Sequence, residues 1–182
     1  MCAGRVKQVC AAVALAILAT ARPCAGDGAM REYAVEAAFI YNFTQFITWP
    51  KEAFPSDDTP FVVAVVGDDP VGAALDHAMG GKNAQNRPIV VKHFPSPDQL
   101  EPCQLLYVPQ SQEDSLDEIF QKIGKTSVLT VDDSEKFMAA GGGIRFYLED
   151  SRVHFEIDPD ATDAARLKIS SRLMKLARIY KK

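Results

Sequence analysis

The chain has 182 residues, with 20 Lys and Arg against 24 Asp and Glu, for a formal net charge of −4. That length supplies one ordinary domain with enough chain for a real core, and the 47% apolar composition is normal for a globular protein. The acidic balance excludes a general nucleic-acid binder, which needs a surplus of Lys and Arg to neutralise phosphates.

Residues 1–7 form a basic start containing Arg5 and Lys7 and no acid, and residues 9–20 are almost wholly apolar. A run of that length falls short of the about 20 residues needed to span a bilayer. A basic start, a short apolar run and small residues after it are the layout of a secretory signal. Asp27 is the first acidic residue of the chain. Cleavage falls within 21–26, after Ala19-Thr20-Ala21 or after Ala25, so a signal peptide over 1–25 and one domain over 30–182 are expected. A lipoprotein is disfavoured because Arg22 and Pro23 precede Cys24. Three of the basic residues (Arg5, Lys7 and Arg22) leave with such a leader and no acid does, so the exported domain is more acidic than its precursor. Cys2 and Cys10 leave too, and Cys24 depends on the cut, so Cys103 is the one thiol certain to remain and no disulfide framework can be assumed.

Beyond the leader, Val35, Phe39, Phe43 and Phe46 predict a long helix over 31–48, stopped at Trp49-Pro50, with Ile40, Tyr41 and Ile47 widening its apolar face. The β-branched run 61–66 reads as a strand covered on both faces. Asp69 and Pro70 are placed to cap and open a helix over 71–79. Strands over 88–93 and 104–108 follow, then a helix over 114–123 and a strand over 128–131. Residues 144–149 and 152–157 form a hairpin across Asp150-Ser151, with Val153, Phe155 and Ile157 alternating inward. A final helix over 161–180 would bury Ala165, Ile169, Leu173, Leu176 and Tyr180 and expose Lys168, Arg172 and Lys175. The expected fold class is α/β: a three-layer sandwich with a mostly parallel central sheet, a C-terminal β-hairpin and then a long helix.

Chemistry-bearing groups are sparse. Asp68 and Asp69 follow one buried strand and Asp132 and Asp133 another, at the sheet edge where ligands sit in open α/β folds. Helix capping by Asp69 and by Asp133 or Ser134 is the favoured account of such residues. Gly141-Gly142-Gly143 precedes a strand rather than opening a helix, so it is a turn and no phosphate cradle. His77, His93 and His154 lack metal-pair spacing, and Cys103 has no cysteine near it. Ser170 and Ser171 lie outside any nucleophile elbow. No catalytic residue, metal site or cofactor is expected, and the protein is read as a non-enzyme.

The run Glu36-Ala37-Ala38-Phe39-Ile40-Tyr41-Asn42-Phe43, with Phe46 and Trp49-Pro50, resembles the YfiR-like family of periplasmic proteins. So do Val65-Val66-Gly67-Asp68-Asp69-Pro70, Cys103, and Val128-Leu129-Thr130-Val131 with Phe137 and the glycine turn. Phe155-Glu156-Ile157, the run from Leu167 to Leu173, and Leu176-Ala177-Arg178 complete the likeness. Each block is short; their order and spacing together are specific. The resemblance implies a homodimeric periplasmic repressor that acts on an inner-membrane diguanylate cyclase, restraining cyclic-di-GMP production and biofilm formation. It also implies redox behaviour at cysteines, but where the family has the partner of Cys103, this chain has Phe146.

The leading expectation is therefore a periplasmic regulator that binds and restrains an inner-membrane signalling protein. Phe39, Tyr41 and Phe43 of the first helix and Arg172, Lys175 and Arg178 near the C-terminus are the candidate contacts. The alternative is a periplasmic small-molecule binding protein with its pocket at the strand ends near Asp68 and Asp132. A hydrolase is the third reading.

Overall fold

The computed structural model describes residues 25–181. The leader expected over 1–25 lies, but for Ala25, outside them, as does Cys24. Helix α1 (Ala25–Phe46) runs into a two-residue strand β1 (Ile47–Thr48). Then come β2 (Phe61–Val66), α2 (Pro70–Met79), β3 (Asn83–Ala84), β4 (Arg87–Phe94) and β5 (Leu105–Tyr107). α3 (Leu116–Ile123), β6 (Leu129–Asp132), α4 (Glu135–Ala140), β7 (Ile144–Glu149) and β8 (Arg152–Ile157) follow. The chain closes with α5 (Pro159–Ala164), β9 (Lys168–Ile169), α6 (Ser171–Met174) and β10 (Arg178–Ile179).

Eight strands form one sheet in the order β10-β8-β7-β6-β5-β2-β4-β3. β2 pairs parallel with β4 and β5, β5 with β6, and β6 with β7. β8 turns back antiparallel on β7, and β10 adds parallel to β8. β2 shows why its sequence is an unbroken apolar run. Phe61, Val63 and Val65 enter one core with Ala37, Ile40 and Phe43 of α1 and Val71, Leu75 and Met79 of α2. Val62, Ala64 and Val66 enter a second core with Leu116 and Ile119 of α3 and Phe137 and Met138 of α4. Helices therefore cover both faces, and a strand buried on both sides cannot alternate.

Local chemistry sets the element ends. Oδ1 of Asp69 accepts from the Val71 backbone N–H at 2.8 Å, and Pro70 opens α2. The β7–β8 hairpin turns through Asp150 and Ser151, both at positive φ (49° and 58°), the pairing a two-residue right-twisted hairpin requires. Gly142 is tied to its position because a Cβ there would collide with the Phe137 ring.

The C-terminus differs from the expected long helix. α5 ends at Ala165-Arg166, with Arg166 in the left-handed region at φ 58°. Lys168 and Ile169 then pair antiparallel with Thr48 and Ile47, Ser170 caps α6, and β10 joins the main sheet. A continuous helix would forgo both strand pairings, and it would bury Leu176, which is 73% exposed. The same pairing explains why α1 stops at Phe46 and leaves Ile47 and Thr48 extended. The α1 face is also rotated from the expected stripe: Val35 and Phe46 are 42% and 37% exposed, while Ala37, Ile40 and Phe43 are wholly buried. Among the described residues no helix is long and apolar enough to cross a membrane.

Candidate functional site

The parallel strands end at one edge of the sheet. Asp68 and Asp69 follow β2, Tyr107 closes β5, and Asp132 closes β6 with Asp133 beyond it. α1 sets Glu36 among them. This carboxyl is only 4% exposed, and no described residue gives it a hydrogen bond or an ion pair. Burial, reinforced by the neighbouring charges of Asp133, Glu32 and Asp69, pushes it up from an ordinary 4.5 to about 8. The Tyr107 phenol is buried beside the same carboxylates and is raised for the same two reasons, burial first.

Asp132 and Asp133, adjacent in sequence, have different tasks. Asp132 is fully buried and holds the turn into α4: Oδ1 accepts from the backbone N–H groups of Asp133 and of Ser134 (2.9 Å for the latter). Burial raises its carboxyl above the usual carboxylate range, against the pull of those N–H donors. Ser134 in turn caps α4, accepting from Phe137 N–H at 3.4 Å. Asp133 instead faces a cleft of about 310 Å³ between α1, this turn and the β7–β8 hairpin. Glu32 and Glu36 of α1 line it together with Phe146, Leu148 and Val153 of the hairpin. Asp68 lies elsewhere, in an open groove with Asp76 and His93. Asp68 and Asp132, the pair expected beside a pocket, do not line this cleft or that groove together, and Asp132 is engaged by its own turn. Glu36 was the residue that pattern reading passed over. Its signal was present: Glu36, Ile40 and Phe43 share one helical face, and a carboxylate on an apolar stripe needs a reason to be there.

Beside the cleft, Glu156 of β8 accepts from Nε of Arg145 at 2.7 Å and from Nε of Arg178 at 2.8 Å. Arg145 also meets Glu135 at 3.4 Å. The Arg178 guanidinium lies 4.0 Å over the Tyr147 ring, which stacks on His154. Among the described residues no group of three or more His, Cys, Asp or Glu side chains is arranged to hold a metal ion.

The candidate contact residues separate. Phe43 is wholly buried, packed on Phe146 and Phe155 with ring centroids at 5.8 and 5.1 Å, so it presents no surface to a partner. Phe39 is half-buried against the same rings. Tyr41 is half-buried, with the Lys82 ammonium 4.3 Å from its ring centre. Arg172 and Lys175 are exposed on and just past α6, whereas Arg178 belongs to β10 and is engaged by Glu156. They do not form one helical stripe, since the long helix is absent.

Cys103 is a free, buried thiol that desolvation pushes up to about 12. It packs in the second core, while Phe146 packs in the first, across the sheet. Cys103 precedes β5 and Phe146 lies on β7, two strands away. At about 4.8 Å per strand that separation exceeds the about 7 Å limit between Cα atoms for a disulfide. A thiol in place of the Phe146 ring would therefore not be its partner in this fold.

The architecture defines a mixed α/β domain, with a mostly parallel sheet covered by helices on both faces and a carboxylate-lined cleft at its strand ends. A family model described as YfiR/HmsC-like matches residues 33–178, and the chain belongs to that family. Comparison with curated proteins gave no match.

Proposed function

We propose that this protein is a periplasmic regulator, not an enzyme, that binds and restrains an inner-membrane signalling protein, and that the restrained protein is a diguanylate cyclase. The reading rests on membership of the YfiR/HmsC-like family across residues 33–178. Export by the leader and a homodimeric state belong to the same proposal. A repressor of this kind works by binding the partner's inactive state more tightly than its active one. Shifting a partner from about 99% active to about 99% inactive needs about a 10⁴-fold difference in affinity between the two states. Arg172 and Lys175, exposed and without an ion-pair partner among the described residues, are the charged contacts proposed for the complex. Deleting the gene should raise cellular cyclic-di-GMP and biofilm mass, and re-expression should restore both. An unchanged cyclic-di-GMP level, with the membrane cyclases expressed, overturns the reading.

A further inference from the structure

The cleft between α1 and the β7–β8 hairpin has a chemistry of its own. Glu32, Glu36 and Asp133 line it, and none has a Lys, Arg or His within ion-pair distance among the described residues. The one cation on its wall, Arg145, is committed to Glu156 at 2.7 Å and to Glu135 at 3.4 Å. Glu36 is the telling member. It is 4% exposed, it borders the cavity, and no hydrogen bond or ion pair among the described residues satisfies it. Buried polar groups are almost always partnered, and removing a carboxyl from water without a partner is costly. A ligand carrying the missing donor would remove that cost. The hairpin adds the apolar side chains of Phe146, Leu148 and Val153 to the lining, and Leu148 is 57% exposed, so part of that apolar surface is open to cover.

We propose that this cleft binds a small organic cation, an alkylammonium compound, with Glu36 as the buried counter-ion and the hairpin side chains against its methylene chain. The volume of about 310 Å³ is about ten times the share of one water molecule, which suits a short alkyl amine. An inorganic divalent ion fits less well. Calcium takes six to eight oxygens and magnesium a regular octahedron, and among the described residues no group of three or more ligating side chains is arranged for either. A lining that joins the carboxylates of Glu32, Glu36 and Asp133, none of them paired with a cation among the described residues, to the hydrocarbon of Phe146, Leu148 and Val153 instead matches a molecule with an ammonium end and an apolar body.

Binding is then coupled to a proton. Glu36 lies in the field of Glu32 on its own helix, Asp69 after β2, Tyr107 on β5 and Asp133 after β6, and it shares the cleft lining with Glu135 on α4 and Arg145 on β7. Burial first, and then the charges of Asp133, Glu32 and Asp69, keep it protonated at neutral pH. An ammonium ion needs the carboxylate, so each binding event releases one proton, and apparent affinity rises with pH until it levels near 8.

This proposal rests on the cleft and is independent of the partner reading, because its test is made on purified protein. Isothermal titration calorimetry with n-pentylamine should show saturable binding, about tenfold tighter at pH 7.5 than at 6.5, with proton release seen as a dependence of heat on buffer. Glu36→Gln should weaken binding at least about tenfold and abolish both the pH slope and the proton release. Equal binding of n-pentanol would reduce the cleft to an apolar cavity, and equal binding of calcium would reduce it to a diffuse negative field. Either result overturns the proposal, as does an unchanged affinity in Glu36→Gln or no binding of n-pentylamine. Should Glu36→Gln fail to fold, Asp133→Asn is read by the same criterion for affinity.

Discussion

Arg145 and Glu156 stand directly opposite each other in the β7–β8 ladder, and Nε of Arg145 donates to Oε1 of Glu156 at 2.7 Å with both side chains nearly buried. The second carboxylate oxygen takes Arg178 from β10, so one acid fastens the hairpin to the C-terminal strand. Breaking a buried pair by removing one partner leaves an uncompensated charge and costs about 3–5 kcal/mol. Glu156→Gln should lose stability on that scale in urea unfolding, since the remaining partner of Arg145, Glu135, is almost fully exposed. Arg178→Ala, at a half-exposed position, should cost about 1 kcal/mol or less from the ion pair.

Glu36 makes stability depend on pH in an unusual direction for a carboxyl. Its folded value is raised from 4.5 to about 8, so its contribution is fully present below 4.5 and is lost as pH rises through about 8. Asp132 and Asp69 are also raised and act with the same sign. Stability should therefore fall across this window, by up to about 1.4 kcal/mol per pH unit from Glu36. Denaturant midpoints measured at several pH values should show the fall, and Glu36→Gln should flatten it. A midpoint that rises from pH 5 to 8 in the wild type and is unaltered by Glu36→Gln would contradict this account.

Gln104 joins three segments. Its Oε1 accepts from Val62 N–H at 2.8 Å, its Nε2 donates to the Ala53 carbonyl at 2.7 Å, and its own carbonyl accepts from the Trp49 indole at 2.8 Å. Gln104→Leu strands the Val62 N–H and the Ala53 carbonyl, at about 1–3 kcal/mol for each group left unsatisfied. The expected loss is about 3 kcal/mol. Trp49 is the single tryptophan, packed edge-on to Phe61 at 4.8 Å, so its fluorescence reports the transition directly.

Cys103 should resist a thiol-reactive dye in the native state and react at the rate of a free thiol once unfolded, because burial holds it in the unreactive thiol form. Phe146→Cys should yield one more titratable thiol than the parent protein and no disulfide to Cys103 under oxidising conditions. It should also destabilise by about 3 kcal/mol through the cavity left among Phe39, Phe43 and Phe155. A quantitative disulfide between Cys103 and the introduced thiol would overturn the placement of these two positions on opposite faces.

Several elements could be read from composition alone because their cause is local. The 61–66 run is apolar at every position because both its faces are covered, and Asp69-Pro70 is a helix start wherever it occurs. The C-terminal segment shows where such reading fails. Ala165, Ile169 and Leu173 recur every four residues, yet Ala165 and Ile169 are half-buried, Leu173 is buried, and no single helix joins them. Two-residue strands such as β1, β9 and β10 have no signature of their own; they exist because Ile47 meets Ile169 and Ile179 meets Ile157.

By itself the sequence determined the α/β class, the strand-end acids and the resemblance to the YfiR-like family, since periodicity, caps and ordered motifs are properties of neighbouring residues. Only the tertiary structure decided which acid is a turn-former and which faces a cleft, that Phe43 belongs to the core, and that Cys103 and Phe146 lie on opposite faces. Those outcomes depend on segments far apart in the chain. Glu36 and Asp133 are almost a hundred residues apart, and their shared field arises only where α1 packs across the ends of the strands.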